Sequence, residues 1–245
     1  MKIKKRLDAF LGELYPQYSR TQLQSFIMQG KVFIDGVKVT KPGVVVPQDA
    51  EVVCTAEQPK YVCRAGWKLE KALDHFGIDV AGLVVLDAGL STGGFTDCML
   101  QRGAKKVFGV DVGHTQAHEK IRQDERVVVL ERTNLKEYKH LGEQIDLITL
   151  DLSFISLLKV MEVVKGLLVP GGKLVTLIKP QFEADRSEVP AGGVIKDTAL
   201  QQRLVDSVVA GIQAEGFELQ GITESPILGT AGNREFLAYF VKKEA

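Results

Sequence analysis

The chain has few cysteines, and none of them is spaced to build a site. Cys54, Cys63 and Cys98 are odd in number and show no Cys-x-x-Cys spacing. That argues against a disulfide framework and against a metal site, and it fits a reducing cytoplasmic setting. No apolar run approaches the roughly 20 residues of a membrane-spanning helix, so no membrane segment is expected. The N-terminus is basic but lacks the apolar stretch of a secretion signal. Net charge is absent too, since 31 Lys and Arg balance 31 Asp and Glu in 245 residues. The charge is nevertheless uneven. Residues 1–46 carry eight basic side chains (Lys2, Lys4, Lys5, Arg6, Arg20, Lys31, Lys38, Lys41) against three acids (Asp8, Glu13, Asp35). A basic module on a mildly acidic body points to a polyanionic partner for the module. There is no internal repeat and no low-complexity tract, and the length suits either one large domain or a large domain with a small one attached.

The small domain is expected over residues 1–58. Leu7, Phe10, Leu11 and Leu14 have helical spacing within Arg6–Leu14. Ser19 reads as the N-cap of a second helix, Arg20 to Gln29, which Gly30 ends. Val32-Phe33-Ile34 and Val37-Lys38-Val39 flank Asp35-Gly36, a hairpin signal, and Pro42 to Pro47 reads as a bend before a third strand at 51–54. Arg6-Leu7-Asp8, Ser19-Arg20-Thr21-Gln22, Ile27-Met28-Gln29-Gly30-Lys31-Val32, Asp35-Gly36 and Lys41-Pro42 together resemble the ribosomal S-four-type RNA-binding domain. The resemblance implies a basic face on folded RNA. Lys4, Lys5, Arg6, Arg20 and Lys31, with Arg64 further on, are the expected contacts, and phosphate contacts position without reading sequence.

Residues 59–66 are expected to be a linker, and 67–245 the large domain. Strands are predicted at 83–87, 106–111, 127–131, 145–150 and 173–179, with helices at 92–102, 115–123, 155–167 and 197–214. Trp67 to Phe76 is amphipathic, and two last strands fall near 217–224 and 235–242. Such alternation predicts an α/β Rossmann-like fold, a mostly parallel seven-stranded sheet covered on both faces.

Within it, Asp87-Ala-Gly-Leu-Ser-Thr-Gly-Gly-Phe-Thr-Asp97 joins an apolar strand to a helix. A glycine-rich turn there brings backbone and free N–H groups close to a ligand. No Gly-Lys-Ser/Thr follows and the spacing is not Gly-x-Gly-x-x-Gly, which excludes a P-loop and weakens a dinucleotide reading. The acidic strand ends Asp87 and Asp111 suit a cofactor with hydroxyls and an ammonium group but no phosphate, as S-adenosylmethionine has. Gly89, Ser91, Thr92, Gly93, Gly94, Phe95, Val112, Asn134 and Asp151 complete the expected cofactor set, and Leu90 is expected beside it.

Lys68, Asp151, Lys179 and Glu235 are polar residues beside apolar runs, each with an ordinary surface reading when taken alone. In order and context they are similar to the Lys-Asp-Lys-Glu tetrad of ribose 2′-O-methyltransferases. Arg64-Ala-Gly-Trp-Lys68, Asp151-Leu-Ser-Phe-Ile-Ser156, Lys179-Pro-Gln-Phe-Glu183, Gly192-Gly-Val-Ile-Lys-Asp197 and Gly232-Asn-Arg-Glu235 join the cofactor segments in one ordered set. The whole chain thereby resembles the TlyA (haemolysin A) family, which links an S-four-type domain to an FtsJ-type methyltransferase. The resemblance implies methylation of a ribose 2′-hydroxyl, a cytidine's, in ribosomal RNA or a ribosomal subunit. Lys179 is the expected base. A lysine takes a proton only when neutral, although its ordinary value is about 10.4, and a second lysine with partial burial favours the neutral form. Rival readings are a base methyltransferase, a non-catalytic RNA-binding protein and a membrane-lysing protein. The prolines that follow the fourth strand in amino-group methyltransferases are missing here. No cysteine is placed for ring-carbon attack, and no strongly amphipathic basic helix is seen.

Overall fold

A computed structural model describes residues 4–56, 59–137 and 142–244. Lys2 of the basic stretch and Glu57 and Gln58 of the expected boundary lie outside the described residues. The chain divides into two compact units, residues 1–59 and 60–245.

The first unit runs β1 (Lys4–Arg6), α1 (Leu7–Leu14), α2 (Arg20–Met28), β2 (Val32–Ile34), β3 (Val37–Val39), β4 (Val45–Pro47) and β5 (Val52–Cys54). A capping box starts α2: Ser19 accepts from the Gln22 N–H while the Gln22 side chain accepts from the Ser19 N–H. Asp35 and Gly36 both have positive φ, 48° and 78°, and make the tight turn of the β2–β3 hairpin. The bend expected at 42–47 instead contains β4, which pairs antiparallel with β1 and places Arg6 opposite Val45. At three residues each, these strands are too short for a periodicity signal. Leu7, Leu11, Leu23, Ile27 and Val32 form the core of the unit.

The second unit runs α3 (Ala65–Phe76), β6 (Val84–Ala88), α4 (Gly94–Gln101), β7 (Lys106–Val110), α5 (Glu119–Arg122), β8 (Val127–Leu130), β9 (Ile145–Leu150), α6 (Met161–Leu167), β10 (Leu168–Ile178), α7 (Pro180–Glu183), α8 (Thr198–Ala214), β11 (Phe217–Glu224) and β12 (Phe236–Lys242). Its sheet has the order β11-β12-β10-β9-β6-β7-β8. β12 is antiparallel to β10 and β11, and the remaining pairs are parallel. Successive strand residues face opposite sides. Leu86, Ile148 and Leu150 pack toward α6 and α8, while Val85, Leu147 and Val175 pack toward α3 and α4.

Three expectations shift. Lys60–Gly66, expected in the linker, packs onto the second unit: Tyr61 is in its core and the Val62 N–H donates to the buried Asp97 at 2.8 Å. The helix expected at 115–123 is only four residues long. The strand expected at 173–179 begins at Leu168, running through Gly171 and Gly172, residues that read as a turn in sequence.

Candidate functional site

The chain leaves β6 toward β7 and β8, then returns to lay β9 on the other side of β6. Ligands of such sheets bind at this reversal, outside the carboxyl ends of the strands. Here the two strand ends touch. Gly89 has φ +93°, and a Cβ on it would lie 2.5 Å from the Asp151 carbonyl oxygen, so only glycine lets the loops meet. The Asp151 N–H donates to the Ala88 carbonyl at 3.0 Å across the same junction.

Two cavities adjoin there and share Gly89, Ser91, Asp151, Ser153 and Phe154. The first, of about 480 Å³, lies over β6, β7 and β9. Asp111 stands in it with both oxygens engaged, accepting from the Ser91 N–H and the Gly113 N–H at 2.7 Å each. Each oxygen keeps a further lone pair. Val112, Leu152 and Ile155 give apolar walls. Asn134 is also in the wall; its Oδ1 accepts from the Lys136 N–H at 3.1 Å, which leaves its amide N–H groups.

The second cavity, of about 610 Å³, collects the four tetrad residues from four elements. Lys68 comes from α3, Asp151 follows β9, Lys179 follows β10 and Glu235 precedes β12. They form two separate ion pairs. Lys68 Nζ donates to Glu235 Oε2 at 2.6 Å, with the residues 6% and 3% exposed. Lys179 Nζ, on a residue 7% exposed, lies 2.6 Å from Asp151 Oδ1 and donates to Ser153 Oγ at 3.0 Å. Each lysine thus has a carboxylate of its own, Asp151 beside Lys179 and Glu235 beside Lys68. At the cavity wall Arg64 Nη2 donates to Thr230 Oγ1 at 2.8 Å.

Several residues expected at the cofactor do not face it. Asp87 is fully buried and accepts from Thr96 Oγ1 at 2.6 Å and Thr149 Oγ1 at 3.0 Å. Burial pushes its carboxyl up to about 6, against the pull of those two hydroxyls. It ties β6 to α4 and β9 rather than meeting a ligand. Gly93 and Gly94 serve packing: a Cβ would lie 2.7 Å from Ile121 Cγ1 at the first and 2.6 Å from Cys63 Sγ at the second. Phe95 is in the core, and Thr92 lines the second cavity instead of the first. Leu90 is buried against β7, where Gly109 makes room: a Cβ on Gly109 would lie 2.8 Å from Leu90 Cδ1. Leu90 therefore leaves the first cavity open. Gly89, Ser91, Asp111, Val112, Asn134 and Asp151 do line that cavity.

The basic residues of the first unit form a different arrangement. Asp8, buried at 1% exposure, accepts from Arg6 Nε at 3.1 Å, Arg20 Nη2 at 3.0 Å and Gln24 Nε2 at 2.8 Å. The Arg6 hydrogen bond, helped by Gln24 and Arg20 against burial, holds the Asp8 carboxyl well below the usual range. The two arginine side chains remain 54% and 64% exposed. Lys5 pairs with Glu13 at 2.7 Å, and Lys4 and Lys31 are exposed.

Residues beside the tetrad were missed from sequence. Ser153 and Phe154 follow Asp151, and Phe182 and Glu183 follow Lys179. Phe154 and Phe182 have ring centroids 4.9 Å apart. Glu183 Oε1 accepts from the Leu157 N–H at 2.9 Å, and burial pushes its carboxyl up. Phe154 has φ +65° and Ser91 +46°, left-handed backbone that non-glycine residues adopt at a cost of about 1–3 kcal/mol and that clusters at functional sites. In sequence, Ser153, Phe154, Phe182 and Glu183 stood only as members of the tetrad motifs, whereas Ser91 was among the expected cofactor residues.

The chain is similar to known proteins over both units. Residues 61–242 match the FtsJ-like methyltransferase family model, and residues 5–52 match the S4 domain. Hemolysin A of Brachyspira hyodysenteriae is 43% identical over 96% of this chain and 99% of its own. The 16S/23S rRNA (cytidine-2′-O)-methyltransferase TlyA of Mycobacterium tuberculosis is 41% identical over 96% of this chain and 88% of its own. A solved Streptococcus thermophilus structure described as a hemolysin superposes with a TM-score of 0.77 at 36% identity, covering 100% of this chain and 90% of its own. At 17% identity and a TM-score of 0.53, the N-methyltransferase NodS of Bradyrhizobium japonicum, solved with S-adenosyl-L-homocysteine, shares the fold over 74% of this chain and 86% of its own. The chain belongs to the FtsJ-like methyltransferase family, within its TlyA (hemolysin A) group that carries an S4 domain.

Proposed function

We propose that the protein transfers the methyl group of S-adenosylmethionine to the ribose 2′-hydroxyl of a cytidine in ribosomal RNA. The observation that carries this is the meeting of two cavities at Asp151, one lined by Asp111, Val112 and Asn134 and one holding two lysine–carboxylate pairs. The name of the M. tuberculosis relative supports the acceptor.

The first cavity fits the cofactor in size, since small-molecule sites run about 300–1,000 Å³. Asp111 has lone pairs left for two ribose hydroxyls, Asn134 has N–H groups for an acceptor on the adenine edge, and Val112, Leu152 and Ile155 would flank the ring. Gly89 and Ser91 would border the methionine part. When bound, the cofactor supplies a methyl group on a positively charged sulfur. Asp151, at the junction, holds Lys179 and would face that charge. Lys179 Nζ would take the proton of the ribose hydroxyl and so ready its oxygen for the methyl group. Lys68, held by Glu235, donates to the ribose oxygen or the neighbouring phosphate. Positioning the two substrates accounts for much of the rate in such a transfer. Arg64 at the second cavity would hold RNA backbone, and Lys4, Lys5, Arg6, Arg20 and Lys31 would hold phosphates elsewhere on the ribosomal RNA or subunit.

Among the described residues no helix is long and apolar enough to cross a membrane. The reading is tested by offering methyl-labelled S-adenosylmethionine with ribosomes, separated subunits and free rRNA. Label is expected in rRNA; label in protein only, or none, refutes the proposal.

A further inference from the structure

We infer that Ser153 is a positioning residue for methyl transfer, aiming the Lys179 amine at the ribose hydroxyl and carrying its proton to solvent. This deepens the ribose-methylation reading and rests on it.

A neutral amine has two N–H groups and one lone pair. Around Lys179 Nζ, Asp151 Oδ1 lies at 2.6 Å and Ser153 Oγ at 3.0 Å. These two acceptors take two of the three directions that the Cε bond leaves open on the nitrogen. The Phe182 ring lies near the amine, its centroid 5.8 Å from Nζ. What remains is the lone pair, and the second cavity is the open space beside it. With Asp151 alone, the amine could turn about one hydrogen bond and point its lone pair elsewhere. Ser153 removes that freedom.

The other serine of the segment has a structural role: Ser156 Oγ accepts from the Leu158 N–H at 3.3 Å and caps the turn that follows. Ser153 differs. Lys179 is the one partner its Oγ meets among the described residues, and Ser153 is exposed while Lys179 is buried. It therefore links a buried amine to water. As the bond from oxygen to the methyl carbon forms and the bond from sulfur to that carbon breaks, the hydroxyl proton passes to the lone pair of Nζ. The resulting ammonium donates three hydrogen bonds. Ser153 Oγ accepts one of its protons as it releases its own to solvent, which restores the neutral amine for the next turnover.

The test compares wild type, Ser153→Ala and Ser153→Thr as full-length protein, with methyl-labelled S-adenosylmethionine and the rRNA substrate. Ser153→Ala is expected to lower kcat about tenfold or more and to leave both KM values within about twofold, the pattern of a contact that matters only during transfer. Ser153→Thr keeps the hydroxyl and is expected to restore most of kcat. Equal thermal midpoints and equal cofactor binding would show that the fold and the first cavity are intact. A Ser153→Ala enzyme with wild-type kcat overturns the inference. So does one whose KM for RNA rises at constant kcat, because Ser153 would then be a substrate contact. If the wild type itself places no label on ribose, the ribose reading fails and takes the inference with it.

Discussion

In the first unit one buried carboxylate, Asp8, holds two arginines that stay in solvent. In the second unit two buried lysines, Lys68 and Lys179, are each held by a carboxylate. The same charge types serve different ends because burial differs. An exposed guanidinium keeps its hydration and its reach, so it can meet any phosphate at a salt-dependent affinity. A buried lysine amine held by its partners, with one direction left open, is committed to a single atom placed there. The anchoring carboxylate is what the two regions share: in each, it fixes where the cation points.

The largest effect is expected where that commitment is chemical. Lys179→Ala should lower methyl transfer about 10²- to 10⁴-fold while calorimetry still detects cofactor binding. Near-normal activity would remove Lys179 as the base and leave the second unit resembling the first. Next is the cost of breaking a buried pair. Glu235→Ala leaves the Lys68 ammonium buried without its counter-charge, and denaturant unfolding of the second unit should lose about 3 kcal/mol. A loss near zero would mean that Lys68 escapes to solvent and that its burial does not distinguish the units.

Acid sharpens the contrast, since the buried aspartates Asp8 and Asp87 shift in opposite directions. Asp87 is pushed up to about 6 by burial, from 3.8 when free. Its contribution to stability is therefore full below about 3.8 and is lost as pH rises through about 6. Asp87→Asn should gain on the order of 2 kcal/mol relative to wild type between pH 4 and pH 7 in thermal unfolding. Asp8 is lowered, so its contribution is present above 3.8 and is lost as pH falls further. Asp8→Asn should flatten that acid loss in the first unit. Parallel pH profiles for the two variants would contradict the assignment of opposite shifts.

The smallest expected effect is at an exposed cation. Arg20→Ala should weaken rRNA binding evenly across sequences and reduce the slope of log affinity against log salt by about 0.7 to 0.9. An unchanged slope would take Arg20 out of the RNA contact.

Long periodic elements were readable in the sequence, and so were the strand ends that carry Asp111, Asp151 and Lys179. The α8 helix is 17 residues long with Asp197 as its N-cap, accepting from the Ala199 and Leu200 N–H groups, and both periodicity and cap are local signals. The pairing of β1 with β4 was not readable, because two three-residue strands acquire meaning only from each other. Within the site, residue types were legible and directions were not. Asp87 sits one residue before the end of β6 and turns inward to Thr96 and Thr149, while Asp111 follows the end of β7 and faces the cavity. Gly93 and Gly94 read as ligand-approach glycines, yet the space they leave is filled by Ile121 and Cys63. Nothing in a single strand of text separates these cases, since the neighbour that decides each lies far away in sequence.

The central claim is that Lys179 and its partners act on a ribose hydroxyl rather than on a base. Labelled rRNA from the wild-type reaction can be digested to nucleosides and the methyl group located on sugar or base. Label on the ribose of cytidine, absent with Lys179→Ala, is the predicted result; label on a base, or label that survives Lys179→Ala, would contradict it.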